Sequence, residues 1–169
     1  MNGTVKDFII VHQGKPSSVY DDSCNGTWLL MKDIYTTRNW DDSNCDYLNS
    51  DMTAYLNGTF ISLIDADIRN AIKQVKIPYI NCSNDNVMSG SNGLSCKVFL
   101  LSGTEVGFSG VSYMATEGAK LSYFDSASKR VAWLTNPEYV QQLAGYPLTG
   151  CPSAVQFIEM LYNALVRAA

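Results

Sequence analysis

Histidine is all but missing from this sequence, with His12 the only imidazole, and the five cysteines, Cys24, Cys45, Cys82, Cys96 and Cys151, contain no Cys-x-x-Cys pair. A closed zinc site needs clustered thiolates or imidazoles, and a disulfide framework needs an even, paired set, so neither is expected. Free thiols in a reducing compartment are the simpler reading, because cysteine behaves as a small buried hydrophobe. Long apolar runs are also absent. The longest, such as Phe8–Val11 and Val98–Leu101, are far too short to span a bilayer, and the first residues show no charged stretch followed by an apolar one. Neither a signal peptide nor membrane association is expected.

Charge is sparse as well, at 17% of residues, with 12 basic against 16 acidic side chains and a net charge of -4. The basic residues are scattered, so non-specific binding to nucleic acid is not expected. The phosphate-binding G-x-x-x-x-G-K-[ST], the dinucleotide G-x-G-x-x-G, the nucleophile elbow G-x-S-x-G and the zinc motif H-E-x-x-H are all missing. The sequence thus predicts a protein that is not an enzyme and has no cofactor and no metal. An enzyme with an unfamiliar acidic site would be the exception, since perturbed carboxylates are invisible in sequence.

What is present is apolar bulk, at 46% of 169 residues, enough for one hydrophobic core and one domain over residues 1–169. Lys6–His12 reads as a central strand, apolar on both faces, and Thr27–Met31 as its hairpin partner. Ser50-Asp51 can cap a short helix, Met52–Leu56, ended in the left-handed conformation at Asn57-Gly58. Asp65 or Asp67 can cap a second helix, with Ile68, Ile72 and Val75 on its buried face and Pro78 as its stop. Residues 81–93 carry no apolar period and predict an exposed loop, and Cys96–Leu101 a third strand. Ser102-x-x-Glu105 has capping-box spacing, which predicts one helical turn rather than a catalytic serine. From Gly107 to Ser128 the chain predicts a long excursion anchored by Tyr113, Tyr123 and Phe124, with Lys129–Leu134 a fourth, short strand.

Four glycosylation sequons stand at Asn2, Asn25, Asn57 and Asn81, three of them Asn-Gly-Thr. Asn-Gly is first a turn dipeptide, because both residues tolerate positive φ, so turns explain these triplets without sugar. The acidic pairs Asp21-Asp22, Asp41-Asp42 and Asp65 with Asp67 could bind calcium or act in glycoside hydrolysis, yet loop and helix-start positions favour turn and cap roles. Aromatics in predicted loops include Tyr20, Trp40, Tyr47, Tyr113 and Tyr146. Such side chains build recognition surfaces, so Trp40, Asp41 and Tyr113 are the candidate ligand-binding residues, while most of the others anchor loops to the core.

The last stretch differs in kind. Asn136-Pro137 opens one helix, and Ser153 opens a final helix to about Arg167 on which only Gln156, Glu159, Asn163 and Arg167 are polar. So narrow a polar stripe predicts burial on most of the circumference, and Val155, Ile158, Leu161, Tyr162 and Leu165 are the candidates for self-association into a homodimer.

The segments Asp7–Ser18, Thr27–Ile34, Tyr55–Phe60, Ala71–Tyr79, Leu94–Ser102 and Lys129–Leu134 together resemble an uncharacterised domain family of phage and prophage structural genes from gut Firmicutes. That family is similar in pattern to C-type-lectin-like folds of the formylglycine-generating-enzyme type. The likeness covers most of residues 5–134 and leaves 135–169 as a helical extension. Members usually carry a further first strand and a tryptophan-rich and an arginine-proline-alanine closing strand, all of which this chain lacks, so the resemblance implies an incomplete fold with an open sheet edge. The expected fold class is α+β: a small antiparallel sheet with flanking short helices, long loops and two C-terminal helices. The implied function is a non-enzymatic phage-derived binding or structural module recognising a protein or glycan, located in the bacterial cytoplasm or in a virion. A small acidic inhibitor of a bacterial defence protein is the alternative.

Overall fold

A computed structural model describes residues 1–36, 38, 47–81, 84, 86–108, 116–130 and 164–168. Its organising element is a four-stranded antiparallel sheet in the order β1 (Phe8–Gly14), β2 (Gly26–Met31), β8 (Ala164–Ala168), β7 (Val98–Leu100). Two small pairs complete the described β-structure: β3 (Val75–Ile77) with β6 (Leu94–Cys96), and β4 (Tyr79–Asn81) with β5 (Asn86–Met88). The helical elements are α1 (Asp51–Tyr55), a π-helical turn over Leu56–Phe60 and α2 (Ala66–Ala71). The molecule is thus a mixed α/β protein with small antiparallel sheets and few, short helices.

Both faces of the main sheet are covered, and side-chain alternation sorts its residues between two cores. Val11, Trp28, Leu30 and Phe99 face one core, which they share with Tyr20, Val75, Ile77, Leu121 and Phe124. Met31, Val98 and Leu100 face the other, completed by Met52, Leu56, Phe60, Ile64 and Ile72 from the helical side. Trp28 is the centre of the first core. It is fully buried, touches Tyr20 and Phe99 edge-on at centroid distances of 5.5 and 5.8 Å, and donates its indole N–H to the carbonyls of Gly14 and Cys24.

The apolar run of β1 does not make it central. Among the described strands it lies at the edge: alternation puts Ile9 and Val11 on the Trp28 core face and leaves Ile10, opposite Leu29, 52% exposed on the other, and a bulge at Val11 then sets His12 opposite Trp28. Nor does the final apolar segment end as a helix. Ala164–Ala168 is a strand between β2 and β7, with Leu165 opposite Leu30 on one side and Phe99 on the other. The physical reason is pairing: β2 and β7 run parallel to each other, and among the described strands β8 joins them and pairs with the facing backbone of both. The rest of that helix, with Val155, Ile158, Leu161 and Tyr162, lies outside the described residues, as do the Asn136-Pro137 helix and residues 131–134.

Four further expectations are corrected. The second helix stops at Ala71, with Ile72 already extended and buried, Ile68 54% exposed, and Val75 in β3. In Val75-Lys76-Ile77 the buried residues alternate with a half-buried one, and Leu94-Ser95-Cys96 answers in register, so the two-residue period overrides the helical one. Residues 81–93 are not simply a loop but contain β5 and a 3₁₀ turn at Gly90–Asn92. Asn57-Gly58 does not end a helix but continues it through the π-helical turn, and Gly58 has no positive φ. Met52, Leu56 and Phe60, four residues apart, are thereby stacked on one buried face. The predicted third strand proves to be two strands, β6 and β7, divided at Lys97 where the chain leaves one sheet for another. No helix among the described residues is long and apolar enough to cross a membrane.

Candidate functional site

The sequence candidates Trp40, Asp41 and Tyr113 lie outside the described residues. Other loop aromatics anchor as expected. Tyr20 is 2% exposed, and the Tyr47 hydroxyl accepts the Leu100 N–H at 2.7 Å, where burial pushes its phenol well above the ordinary tyrosine range.

Tyr20 belongs to a buried polar hub that holds three loop segments together. Its hydroxyl donates to Glu105 Oε1 at 2.7 Å and accepts the Ala119 N–H at 3.0 Å. The other Glu105 oxygen accepts the Ser102 N–H at 2.9 Å, and the Ser102 hydroxyl accepts the Glu105 N–H at 3.2 Å, which is the capping box read from the sequence. Ser102 Oγ also donates to the Glu117 carbonyl at 2.6 Å, while the Glu117 side chain accepts the Ile80 N–H. Desolvation raises the Glu117 carboxyl above its ordinary range, and the Ile80 hydrogen bond only partly opposes it. Each polar group in this hub has a structural partner, so its chemistry is loop fixation.

The fold also brings His12 to Ser122, 110 positions away. The Ser122 N–H donates to His12 Nδ1 at 3.3 Å, the Ser122 hydroxyl lies 3.2 Å from that nitrogen and 3.3 Å from the Val11 carbonyl, and Tyr123 N–H donates to the same carbonyl at 3.0 Å. An Nδ1 that accepts a backbone N–H has committed the lone pair a general base would use. The arrangement pins the 121–124 segment to the β1 bulge, and nothing in the sequence signals it, because the two residues meet only in three dimensions.

Acidic pairs and sequons resolve one by one. Asp21 caps the 3₁₀ turn Asp22–Cys24 by accepting the Ser23 N–H, a hydrogen-bonding environment that lowers its carboxyl, while Asp22 pairs with Lys15 at 2.6 Å. Asp65 stands at the start of α2 but makes no capping bond there. Among the described residues no group of three or more His, Cys, Asp or Glu is arranged to hold a metal ion. Asn2-Gly3 forms the expected turn, both residues at positive φ and Thr4 N–H on the Met1 carbonyl. Asn57 has another task. Its side-chain oxygen accepts the N–H groups of Lys97 and Val98 at 2.8 and 3.1 Å, and its amide donates to the carbonyls of Thr53 and Val98. It thus satisfies backbone groups where the chain crosses between sheets, and an amide so engaged is closed to glycosylation in the folded protein.

A surface recess offers different chemistry. At the open end of the β1–β2 hairpin, Lys6, Asp7, Met31, Asp33, Ile34 and Tyr35 line a concavity. Met31 and Ile34 are buried and supply an apolar floor. The Tyr35 ring is fixed edge-on against Phe60 at 5.3 Å, with Lys6 Nζ over it at 5.9 Å. The Asp7 carboxylate pairs with Lys32 at 3.8 Å. The recess is small, about 30 Å³, room for one small group of a larger ligand beside the ring and the rim carboxylates. The chain passes from this recess into the sequence segment that carries Trp40 and Asp41.

Architecture and site together define a mixed α/β protein in which short antiparallel strands carry long loops fixed by side-chain hydrogen bonds. The chain belongs to the family described as Domain of unknown function (DUF6273), whose model matches residues 25–150. No curated protein and no solved structure matches it.

Proposed function

We propose that this protein is a non-enzymatic binding module that recognises a protein or glycan through the loop surface around Tyr35. The observation that carries this reading is the recess itself, where Tyr35 and the Asp33 and Asp7 carboxylates stand over an apolar floor, while the deep carboxylate Glu105 is consumed in holding loops. Loops fixed in advance lower the ordering cost of recognition, which supports a binding role. The sequence resemblance to phage structural modules with a C-type-lectin-like pattern supports the same reading, and with it a place on a virion or inside an infected bacterium.

The test is a binding screen of the whole chain against bacterial surface glycans and host-surface proteins, repeated with Tyr35→Ala and Asp33→Asn. Binding by the wild type that falls about tenfold or more in either variant supports the reading. Ligands that bind wild type and variants equally would move the site elsewhere.

A further inference from the structure

The recess beside Tyr35 measures about 30 Å³, and about 10–15 Å³ is enough to admit one water. An ammonium group is of that size, whereas pockets that enclose a whole small ligand run to about 300–1,000 Å³. The charges around the recess are only partly matched. Asp7 is paired with Lys32 at 3.8 Å, but among the described residues Asp33 has no ion pair, and neither has Lys6. The Lys6 ammonium instead lies 5.9 Å from the centroid of the Tyr35 ring, which an edge-on contact with Phe60 holds in place. Met31 and Ile34 form the floor, an apolar surface that suits a methylene chain and leaves hydroxyl groups without partners.

We propose that the recess takes the side chain of a lysine from a basic partner protein, an inference that rests on the recess being the binding site. The incoming ammonium pairs with Asp33 and lies against the Tyr35 ring, while its four-carbon stem covers Met31 and Ile34. Lys6 already places the same group on that ring. It is therefore a built-in competitor: exposed, on a flexible stem and held by no carboxylate among the described residues, it gives way to a lysine that Asp33 also holds. The small volume and apolar floor separate lysine from its rivals. A guanidinium is a wider, planar group, and an amino sugar brings hydroxyls to a floor that cannot bond them. The net charge of -4 steers a basic protein towards the chain.

NMR titration of the full, isotope-labelled chain with Nα-acetyl-lysine methylamide, read at the Tyr35 ring and the Met31 methyl, tests the assignment. The norleucine and arginine analogues and glucosamine are the comparison probes. The expected result is saturable shifts at both residues with the lysine probe and weaker binding of the other three. Asp33→Asn should weaken the lysine probe about threefold or more, and Lys6→Ala should tighten it about twofold or more. Lys32→Ala removes the same charge from a lysine that is not on the ring, so it should change binding less than Lys6→Ala; equal effects would reduce the site to general acidity and overturn the proposal. Near-UV circular dichroism of the Trp28 cluster verifies that each variant is folded. No shift at about 50 mM probe, well above a millimolar dissociation constant, overturns it, as does norleucine, arginine or glucosamine binding as well as lysine. If those probes fail while the binding screen yields a ligand sensitive to Tyr35→Ala, the recess remains the binding site and only its lysine preference falls; a ligand indifferent to Tyr35→Ala removes both.

Discussion

Tyr20 and Glu105, 85 positions apart, share a buried hydrogen bond of 2.7 Å, and through it the 15–26, 101–108 and 116–124 stretches are held as one unit. Gly118 completes the contact. Its φ is +83°, and a Cβ there would run into the Tyr20 hydroxyl.

Tyr20→Phe should destabilise the protein by about 2–3 kcal/mol, because it leaves a buried Glu105 oxygen and the Ala119 N–H without their partner. Gly118→Ala should cost at least about 2 kcal/mol, through positive φ and the clash together. Urea unfolding of both variants measures this; a Tyr20→Phe protein as stable as wild type would mean the hub contributes nothing net.

Asn57→Ala removes the amide that satisfies Lys97 and Val98 where the chain changes sheets. A loss of about 2–3 kcal/mol is expected. If the gene is expressed in a glycosylating host, mass spectrometry should find no sugar at Asn57 in folded protein.

Glu117 gives a pH signature. Its folded-state affinity for a proton is raised by desolvation, so the ionised form is the costly one in the folded state. That cost is absent below the unfolded-state pKa and fully present above the raised folded-state value, so this group's contribution to stability falls as pH rises through the interval. Glu117→Gln keeps an acceptor for the Ile80 N–H and removes the charge. The variant should gain stability over wild type as pH rises from 4 to 7, and unfolding curves that run parallel at all pH values would contradict this.

Deleting residues 164–169 removes the strand that joins β2 to β7. The shortened chain should lose cooperative unfolding and bind a hydrophobic dye, because Trp28, Leu30 and Phe99 lie on the strands that flank the gap. A sharp thermal transition in the deletion variant would show that the sheet closes without β8.

Cys24 and Cys96 are buried thiols outside any disulfide, each 1% exposed. Both should resist a thiol reagent in native buffer and react in denaturant, where the five cysteines of the sequence should titrate. Mass mapping of the labelled peptides distinguishes these two from the rest.

The features legible in the sequence were those whose cause is local. The Ser102–Glu105 capping box, the Ser50 cap of α1, the Asp21 turn cap and the Asn2-Gly3 turn each need only neighbours a few residues away, and each formed as read. The β1–β2 hairpin followed from its apolar and β-branched content. What the tertiary structure alone decided is where strands sit and what polar side chains do at a distance. An apolar run looks the same in a central strand and in a bulged edge strand, so β1 could not be placed without its partners. The end of the last apolar segment is a strand because β2 and β7 need a backbone between them, a demand that exceeds its helical periodicity. Asn57 and His12 meet their partners across 41 and 110 positions, and no spacing within the sequence encodes such a meeting.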